Sequence, residues 1–327
     1  MAISTRLTRR LGITHPVLSA PMDVIAGGKL AAAVTSAGGL GFLGGGYADD
    51  DGWFEREFAA AGNQAVGCGF ITWALRQRPH LLDASIARTP KAIFLSFDDP
   101  EPFASRIKAA GIPLICQLQT RADAERAIAC GADMIVAQGT EGGGHGGTRA
   151  TLTLVPEIAD LIAQRAPETL LCAAGGIADG RGLAAALMLG ADGVVVGTRF
   201  WASREALVHP NLHAAAVAAG GDDTVRQSVL DIVRERDWPQ RYTGRVLRND
   251  FVAEWLGREA ELKDAKPGQI ERYRQASQAA DTSVAATIVG EGIGLIHAIE
   301  PAAVILERMV AQAETLLADA GRYLGRT

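Results

Sequence analysis

The protein is a chain of 327 residues with an ordinary hydrophobic content and a surplus of glycine. Hydrophobic residues make up 48% of the chain and charged residues 21%. Glycine accounts for 38 residues, which exceeds the share of about 7% that is usual for glycine. The apolar fraction excludes a disordered chain, and glycines that cluster without a period of three exclude a collagen-like one. The formal charge of −5, from 32 basic and 37 acidic residues, offers no basic surface for nucleic acid.

The N-terminal segment and the cysteines bear on where the protein works. Residues 1–10 read MAISTRLTRR and lack the apolar stretch and cleavage site of a secretory signal. No window approaches the roughly 20 uninterrupted apolar residues of a membrane helix, so no membrane association is expected. The cysteines show no CxxC spacing, and three of them lie in apolar runs: Cys68, Cys116 and Cys172. This pattern predicts buried free thiols and a cytoplasmic location.

Short apolar segments and alanine-rich segments alternate through the first 200 residues. Most of the apolar segments are continuous, as in strands that are buried on both faces. Eight strands are predicted, over residues 16–20, 39–43, 66–71, 92–97, 113–118, 134–138, 170–174 and 193–197. Helices are predicted between them, over residues 29–36, 52–61, 75–87, 100–110, 121–130, 155–165 and 182–189. Regular alternation with eight strands favours an α/β fold, a closed TIM (β/α)8 barrel, over an open doubly wound sheet.

The pattern changes in the C-terminal third of the chain. Between about residues 210 and 280 no strand is predicted, and charged residues become dense. Such a segment is either an ordinary solvated surface or a lid over the barrel mouth. Three parts are therefore predicted: a βα barrel over 1–209, a smaller helical insertion or cap over 210–285, and a return segment with a final helix over 286–327 that packs on the barrel.

Four groups of glycines directly follow predicted strands. They fall at the carboxyl ends of the strands, which is the face of a βα barrel where active sites are built. Glycines there either form tight turns or let a ligand approach the backbone closely, and four groups at one end favour the ligand. The groups are Gly44–Gly46, the glycines of segment 142–147, Gly175–Gly176 and Gly197.

The loops after the last two barrel strands predict a phosphate site. Gly175, Gly176 and Gly197 can direct backbone N–H groups at phosphate oxygens without a Cβ in the way, and Thr198 adds a hydroxyl. No GxGxxG directly follows the first predicted strand, and the chain has no Walker sequence, so the dinucleotide-fold and P-loop classes are excluded. A cofactor or substrate that carries a phosphate is therefore expected.

His145 is the candidate catalytic residue. It stands within the glycines of segment 142–147, after the sixth predicted strand, with no apolar neighbour in sequence to bury it. A histidine in a loop is often an ordinary surface residue, but its closeness to the predicted phosphate site favours a functional role. A neutral imidazole can remove a proton from carbon or donate a hydrogen bond to an anion.

Other catalytic chemistries have less support. His209 and His213 have i,i+4 spacing, but no acidic third ligand stands beside them in sequence, so no metal site is predicted. The chain has no Gly-x-Ser-x-Gly motif and no cysteine in an exposed basic loop. Asp179 and Asp192 fall at a helix start and a turn, where capping and turn chemistry explain them. The chemistry is therefore expected to belong to a phosphate-bearing cofactor.

Several of these motifs together resemble the nitronate monooxygenase family, formerly the 2-nitropropane dioxygenases. The resemblance implies FMN as the cofactor in a TIM barrel, with Ala20, Pro21 and Met22 against its isoalloxazine ring. Gln117 and Gln138 would contact its polar edge or ribityl chain, Gly143 and Gly144 would also contact it, and Gly175, Gly176, Gly197 and Thr198 would hold its phosphate. The motifs are residues 20–22, 37–41, 137–146, 174–182 and 197–200.

The resemblance also implies an activity, in which an alkyl nitronate or a nitroalkane reacts with O2 to give a carbonyl compound and nitrite. His145 would act as the base or as a hydrogen-bonding partner of the nitronate. Some relatives carry Asn where this chain has Cys68-Gly69, and Lys where it has Gln117. The absence of that lysine removes a positive charge near the flavin, which bears on the redox tuning of the flavin. An NAD(P)H-dependent reductase of quinones or enoyl thioesters and a non-catalytic flavin-binding barrel remain open, as does a homodimer.

Overall fold

The computed structural model describes residues 3–47 and 52–323, and an eight-stranded parallel barrel forms its centre. The strands of the described residues, β1–β11 in chain order, are Val17–Ser19, Phe42–Gly44, Gly67–Ile71, Ile93–Ser96, Leu114–Leu118, Met134–Gln138, Gly144–Gly146, Leu170–Ala174, Gly193–Val196, Thr224–Gln227 and Thr243–Leu247. The barrel order is β1-β9-β8-β6-β5-β4-β3-β2. A parallel bridge between Leu18 and Leu40 brings β1 to the segment before β2, and Ser19 N–H donates to the Leu40 carbonyl at 3.0 Å. The predicted barrel and its eight strands are confirmed.

Helices cover the outside of the barrel. The α-helices α1–α16 are Arg6–Leu11, Gly28–Ser36, Trp53–Ala61, Thr72–Leu75, His80–Ala87, Glu101–Ala109, Arg121–Ala129, Thr151–Arg165, Gly180–Met188, Thr198–Trp201, Pro210–Ala218, Val229–Val233, Asp250–Trp255, Glu259–Asp264, Lys266–Ala279 and Ala302–Ala318. The single helix predicted over 75–87 is wrong: α4 ends at Leu75 and α5 begins at His80. Pro79 separates them, since a proline disfavours helical backbone at the residue before it. No helix within the described ranges is long and apolar enough to cross a membrane.

Two layers of apolar side chains stabilise the barrel. Inside it, the rings of Phe42 and Phe94 meet edge to face at 5.6 Å, and both side chains are fully buried. A larger cluster lies between the strands and the outer helices, as expected for strands buried on both faces. Cys68, Cys116 and Cys172 are free thiols within these layers, as predicted. Asp179 caps α9 by accepting a hydrogen bond from Arg181 N–H at 2.9 Å, also as predicted.

A second, smaller sheet lies outside the barrel, and it overturns the prediction that residues 210–280 contain no strand. In this antiparallel sheet β11 is central, between β10 and β7. Residues of β11 alternate between half-buried and buried, and its half-buried positions include Arg245. Short strands with charged residues on one face lack a continuous apolar run, which explains why they were not predicted. We use the name cap for residues 210–285, and this division of the chain remains a prediction.

Candidate active site

A cavity of about 380 Å³ opens at the carboxyl ends of the barrel strands. Its lining includes every residue predicted for the site: Ala20, Pro21, Met22, Gln117, Gln138, Gly143, Gly144, His145, Gly175, Gly176, Gly197 and Thr198. Parallel strands bring their following loops to one face, which explains why residues 178 positions apart in sequence can meet there. The structure thus places these residues together, while their individual roles remain proposals.

The loop after β1 forms one wall of the cavity. Ala20 N–H donates to the Val196 carbonyl at 2.9 Å, which fixes the loop beside β9. A Cβ added at Gly69 would lie 2.4 Å from Cβ of Pro21. A side chain at this position of β3 would therefore require the loop to shift, so glycine allows the close approach of Pro21.

The opposite wall is built from the loops after β8 and β9. Gly175 and Gly176 have φ of +102° and +72°, a backbone conformation that favours glycine. A Cβ at Gly197 would meet only Cβ of Ala20 within 4 Å, at 3.6 Å, so this stretch of backbone is accessible from the cavity. The Thr198 hydroxyl accepts a hydrogen bond from Gly290 N–H at 2.9 Å, which leaves its own proton to donate. Gly175, Gly176, Gly197 and Thr198 thus line this wall of the cavity, and we call these four residues the cradle.

The side chains of three glutamines form a hydrogen-bonded chain at the cavity. Gln117 and Gln119 both donate from Nε2 to Oε1 of Gln138, at 3.1 and 2.7 Å. Gln138 donates in turn from Nε2 to the His145 carbonyl at 3.2 Å. The amide orientation of Gln138 is therefore set by its neighbours. Gln119, which the sequence analysis did not select, is buried and reaches the site only through this chain.

His145 is buried and held on two sides, which corrects the expectation that nothing apolar would bury it. Its Nε2 lies 3.0 and 3.1 Å from the two carboxylate oxygens of Asp231, and both side chains are only 9% exposed. Its ring stacks on Trp238 at a centroid distance of 3.5 Å and an interplanar angle of 6°. Sequence reasoning missed both partners, because they come from the cap, 86 or more residues away, and belong to no local motif.

The surroundings of His145 keep its imidazole neutral. Burial lowers the pKa of His145 below its ordinary value, and the hydrogen bond and charge of Asp231 oppose this effect without cancelling it. Nε2 faces Asp231, and since a carboxylate accepts hydrogen bonds, a proton on Nε2 would be stabilised there. A neutral imidazole in this state can accept a proton from a substrate.

Aromatic side chains close the cavity beside His145. Trp238 Nε1–H donates to the hydroxyl oxygen of Tyr47 at 2.8 Å, and Trp73 and Phe97 pack edge to face on Trp238 at 5.4 and 4.9 Å. Burial raises the pKa of Tyr47 to about 12, so its hydroxyl stays protonated. Arg234 also lines the cavity and places its guanidinium 5.6 Å from the Tyr47 ring centroid. Aromatic side chains thus surround His145 on this side of the cavity, and the guanidinium of Arg234 acts on it electrostatically.

A closed parallel barrel with a strand-end cavity and a buried neutral histidine is the architecture of a (βα)8 enzyme. The nitronate monooxygenase family model matches residues 4–61 and 71–312. The chain belongs to this family, and it is a flavin oxidoreductase. It is 32% identical to the nitronate monooxygenase of Neurospora crassa, over 91% of this chain and 89% of that protein.

Two further similarities describe the wider group around this family. The chain is 33% identical, over 76% of its length and 67% of the relative, to a Rhodococcus jostii dehydrogenase whose name specifies a hydroxy-methyl-oxo-octahydroindene carboxyl-CoA substrate. The structure of FabK from Thermotoga maritima superposes with a TM-score of 0.84 at 30% identity, covering 98% of this chain and 100% of that one. The same fold thus recurs in a protein with a different name.

Proposed function

We propose that the protein uses FMN to oxidise alkyl nitronates with O2 to a carbonyl compound and nitrite, and that it also accepts nitroalkanes. The observation that carries this proposal is His145, a buried neutral imidazole at the same cavity as the donor-rich cradle. Family membership supports the reaction class. The cavity holds a cationic group, Arg234, which suits the negative charge of a nitronate.

The cavity fits FMN by the chemistry of its donors. Gly175, Gly176, Gly197 and Thr198 would hold the phosphate, where positive-φ glycines and an accessible backbone leave room for its oxygens. The loop of residues 20–22 would lie against the isoalloxazine ring, and Gln138, already oriented by its neighbours, would contact the polar edge or ribityl chain. Bound FMN would supply the electron-accepting chemistry that none of these side chains provides.

His145 would act on the substrate beside the flavin site. Toward a nitroalkane, its neutral ring would accept the proton from the carbon that bears the nitro group. A nitronate has already lost that proton, so His145 would only contact the anion, while the positive charge of Arg234 in the same cavity would stabilise it. Trp238 and Tyr47 would exclude water from this side of the cavity, which strengthens both interactions.

Oxygen uptake by the purified holoprotein tests the proposal. With propionate 3-nitronate or nitroethane and no NAD(P)H, we expect uptake, and we expect His145→Ala to lower kcat/KM for nitroethane by about 10²- to 10⁴-fold. His297→Ala changes an exposed histidine and serves as the matched control. A flavin-loaded protein that consumes no oxygen with either compound would contradict the proposal.

A reductase on the same scaffold is the second candidate. The observation that favours it is the similarity to the Rhodococcus dehydrogenase, whose named substrate is a CoA thioester. This candidate predicts rapid anaerobic bleaching of the flavin by NADH or NADPH, followed by reoxidation with a quinone or an enoyl thioester. A flavin that stays oxidised under both nucleotides would eliminate it. Turnover unaffected by His145→Ala would instead point to a barrel that binds flavin without catalysis at this histidine.

A further inference from the structure

His145 and Asp231 are in direct contact, although they lie on different elements of the structure. His145 lies on β7, which pairs with β11 in register Gly244 to His145, while Asp231 lies on the short helix α12 of the cap. Nε2 approaches both carboxylate oxygens, at 3.1 and 3.0 Å. Among the interactions of the described residues, His145 is the hydrogen-bonding partner of this carboxylate side chain. The contact therefore fixes one ring nitrogen of His145.

Trp238 fixes the plane of the same ring. The two rings are nearly parallel, with 6° between their planes and 3.5 Å between their centroids. Trp238 is itself held by its hydrogen bond to Tyr47 at 2.8 Å and by the edge of Phe97. With its plane set by Trp238 and its Nε2 directed at Asp231, the ring keeps one orientation at the cavity.

We propose that Asp231 is a positioning residue that holds His145 in the tautomer with its proton on Nε2, so that Nδ1 takes the proton of a neutral nitroalkane. The inference rests on the proposed function. In this step the substrate C–H bond breaks and its electron pair stays on the substrate, which becomes the nitronate. An N–H bond forms at Nδ1, and the Asp231 carboxylate balances the imidazolium charge. Because a nitronate needs no such step, Asp231 also sets the preference between the two substrate forms.

Kinetics of Asp231→Asn test the proposal with both substrate forms. We expect kcat/KM for nitroethane to fall by about 10²-fold or more, and kcat/KM for ethyl nitronate to change far less. Asp231→Asn should have no further effect in the His145→Ala background, because the carboxylate acts through the imidazole. Glu235→Gln alters an exposed carboxylate of the same segment, paired with Lys266 at 3.3 Å, and should leave both rates unchanged.

The pH profile gives a readout that loss of folding would not produce. The groups that act electrostatically on His145 are Asp231, which raises its pKa, and Arg234 and Arg226, which lower it. Removing the charge of Asp231 should therefore move the acid limb of the residual nitroethane activity to lower pH. An equal loss with both substrates and an unmoved acid limb would overturn the proposal.

Nitrogen NMR of the holoprotein labelled with ¹⁵N-histidine tests the tautomer without any substrate. The His145 signals are assigned by their absence in His145→Ala. In the unaltered protein we expect a protonated Nε2 and an unprotonated Nδ1 near neutral pH, and in Asp231→Asn a mixture or the opposite tautomer. A proton on Nδ1 in the unaltered protein would overturn the role of Asp231. This measurement stands even if nitronates prove not to be substrates, so the two failures are distinguishable.

Discussion

Gly176 combines two constraints at one position, a left-handed backbone and a place in the cradle. Its φ is +72°, and an added Cβ would lie 3.2 Å from Cβ of Glu141. Gly176→Ala should lower the free energy of unfolding by about 1 kcal/mol and weaken FMN binding as well. Gly111 is the matched control, with φ of +70° and nothing within 4 Å of an added Cβ. Gly111→Ala should show a similar cost by denaturant titration, with no change in flavin affinity.

The buried histidines give the folded state a pH dependence. Burial lowers the pKa of His145 and of His213, so below about pH 6.5 the unfolded chain binds protons that the folded chain resists. Their contribution to stability is fully present above that pH and is lost as the pH falls through the lowered values. His213→Gln should therefore reduce the loss of stability between about pH 6.5 and 5, while the exposed His80→Gln should not. Equal pH slopes for the two variants would contradict this account.

For individual residues, the sequence predicted those that belong to local motifs and missed those that distant segments of the chain contribute to the site. The strand-end glycines and His145 could be found because glycines directly follow four of the predicted strands. Asp231 and Trp238 could not, because an aspartate and a tryptophan in a charged segment are ordinary until the cap folds over β7. Their role depends on a pairing between distant strands, which periodicity does not reveal.

The small sheet is the element that links the catalytic loop to the cap. β7 pairs with β11, and the cap core behind β11 contains Phe251, which is fully buried. Phe251→Ala should cost about 3–5 kcal/mol and increase hydrogen exchange in residues 144–146. Phe103→Ala is the matched change, since Phe103 is equally deep among the outer helices of the barrel. Phe103→Ala should destabilise the protein without selectively exposing β7. Equal hydrogen exchange of residues 144–146 in the two variants would show that the small sheet does not couple the His145 loop to the cap.

The barrel strands could be predicted because each is a continuous apolar run, while β10 and β11 could not. Arg226 of β10 and Arg245 of β11 both donate to the carbonyl oxygen of Thr140, so these side chains join the small sheet to the loop between β6 and β7. A segment that appears solvated from its composition is thus partly buried. Charge density alone therefore does not distinguish an exposed helix from a strand whose arginines bond to backbone carbonyls.

At the scale of the whole molecule, phosphate binding at the cradle should make FMN stabilise the folded protein more than riboflavin does. The two ligands share the isoalloxazine ring and ribityl chain, but only FMN carries the phosphate that Gly175, Gly176, Gly197 and Thr198 would hold. FMN at about 100 times its Kd should add about 2.7 kcal/mol to the free energy of unfolding and raise the Tm by several degrees. At the same concentration, riboflavin should raise the Tm of the flavin-free protein much less. Gly176→Ala should reduce the difference between the Tm shifts produced by FMN and by riboflavin, whereas Gly111→Ala should preserve that difference. Equal Tm shifts for FMN and riboflavin would show that the loops after β8 and β9 do not bind the phosphate.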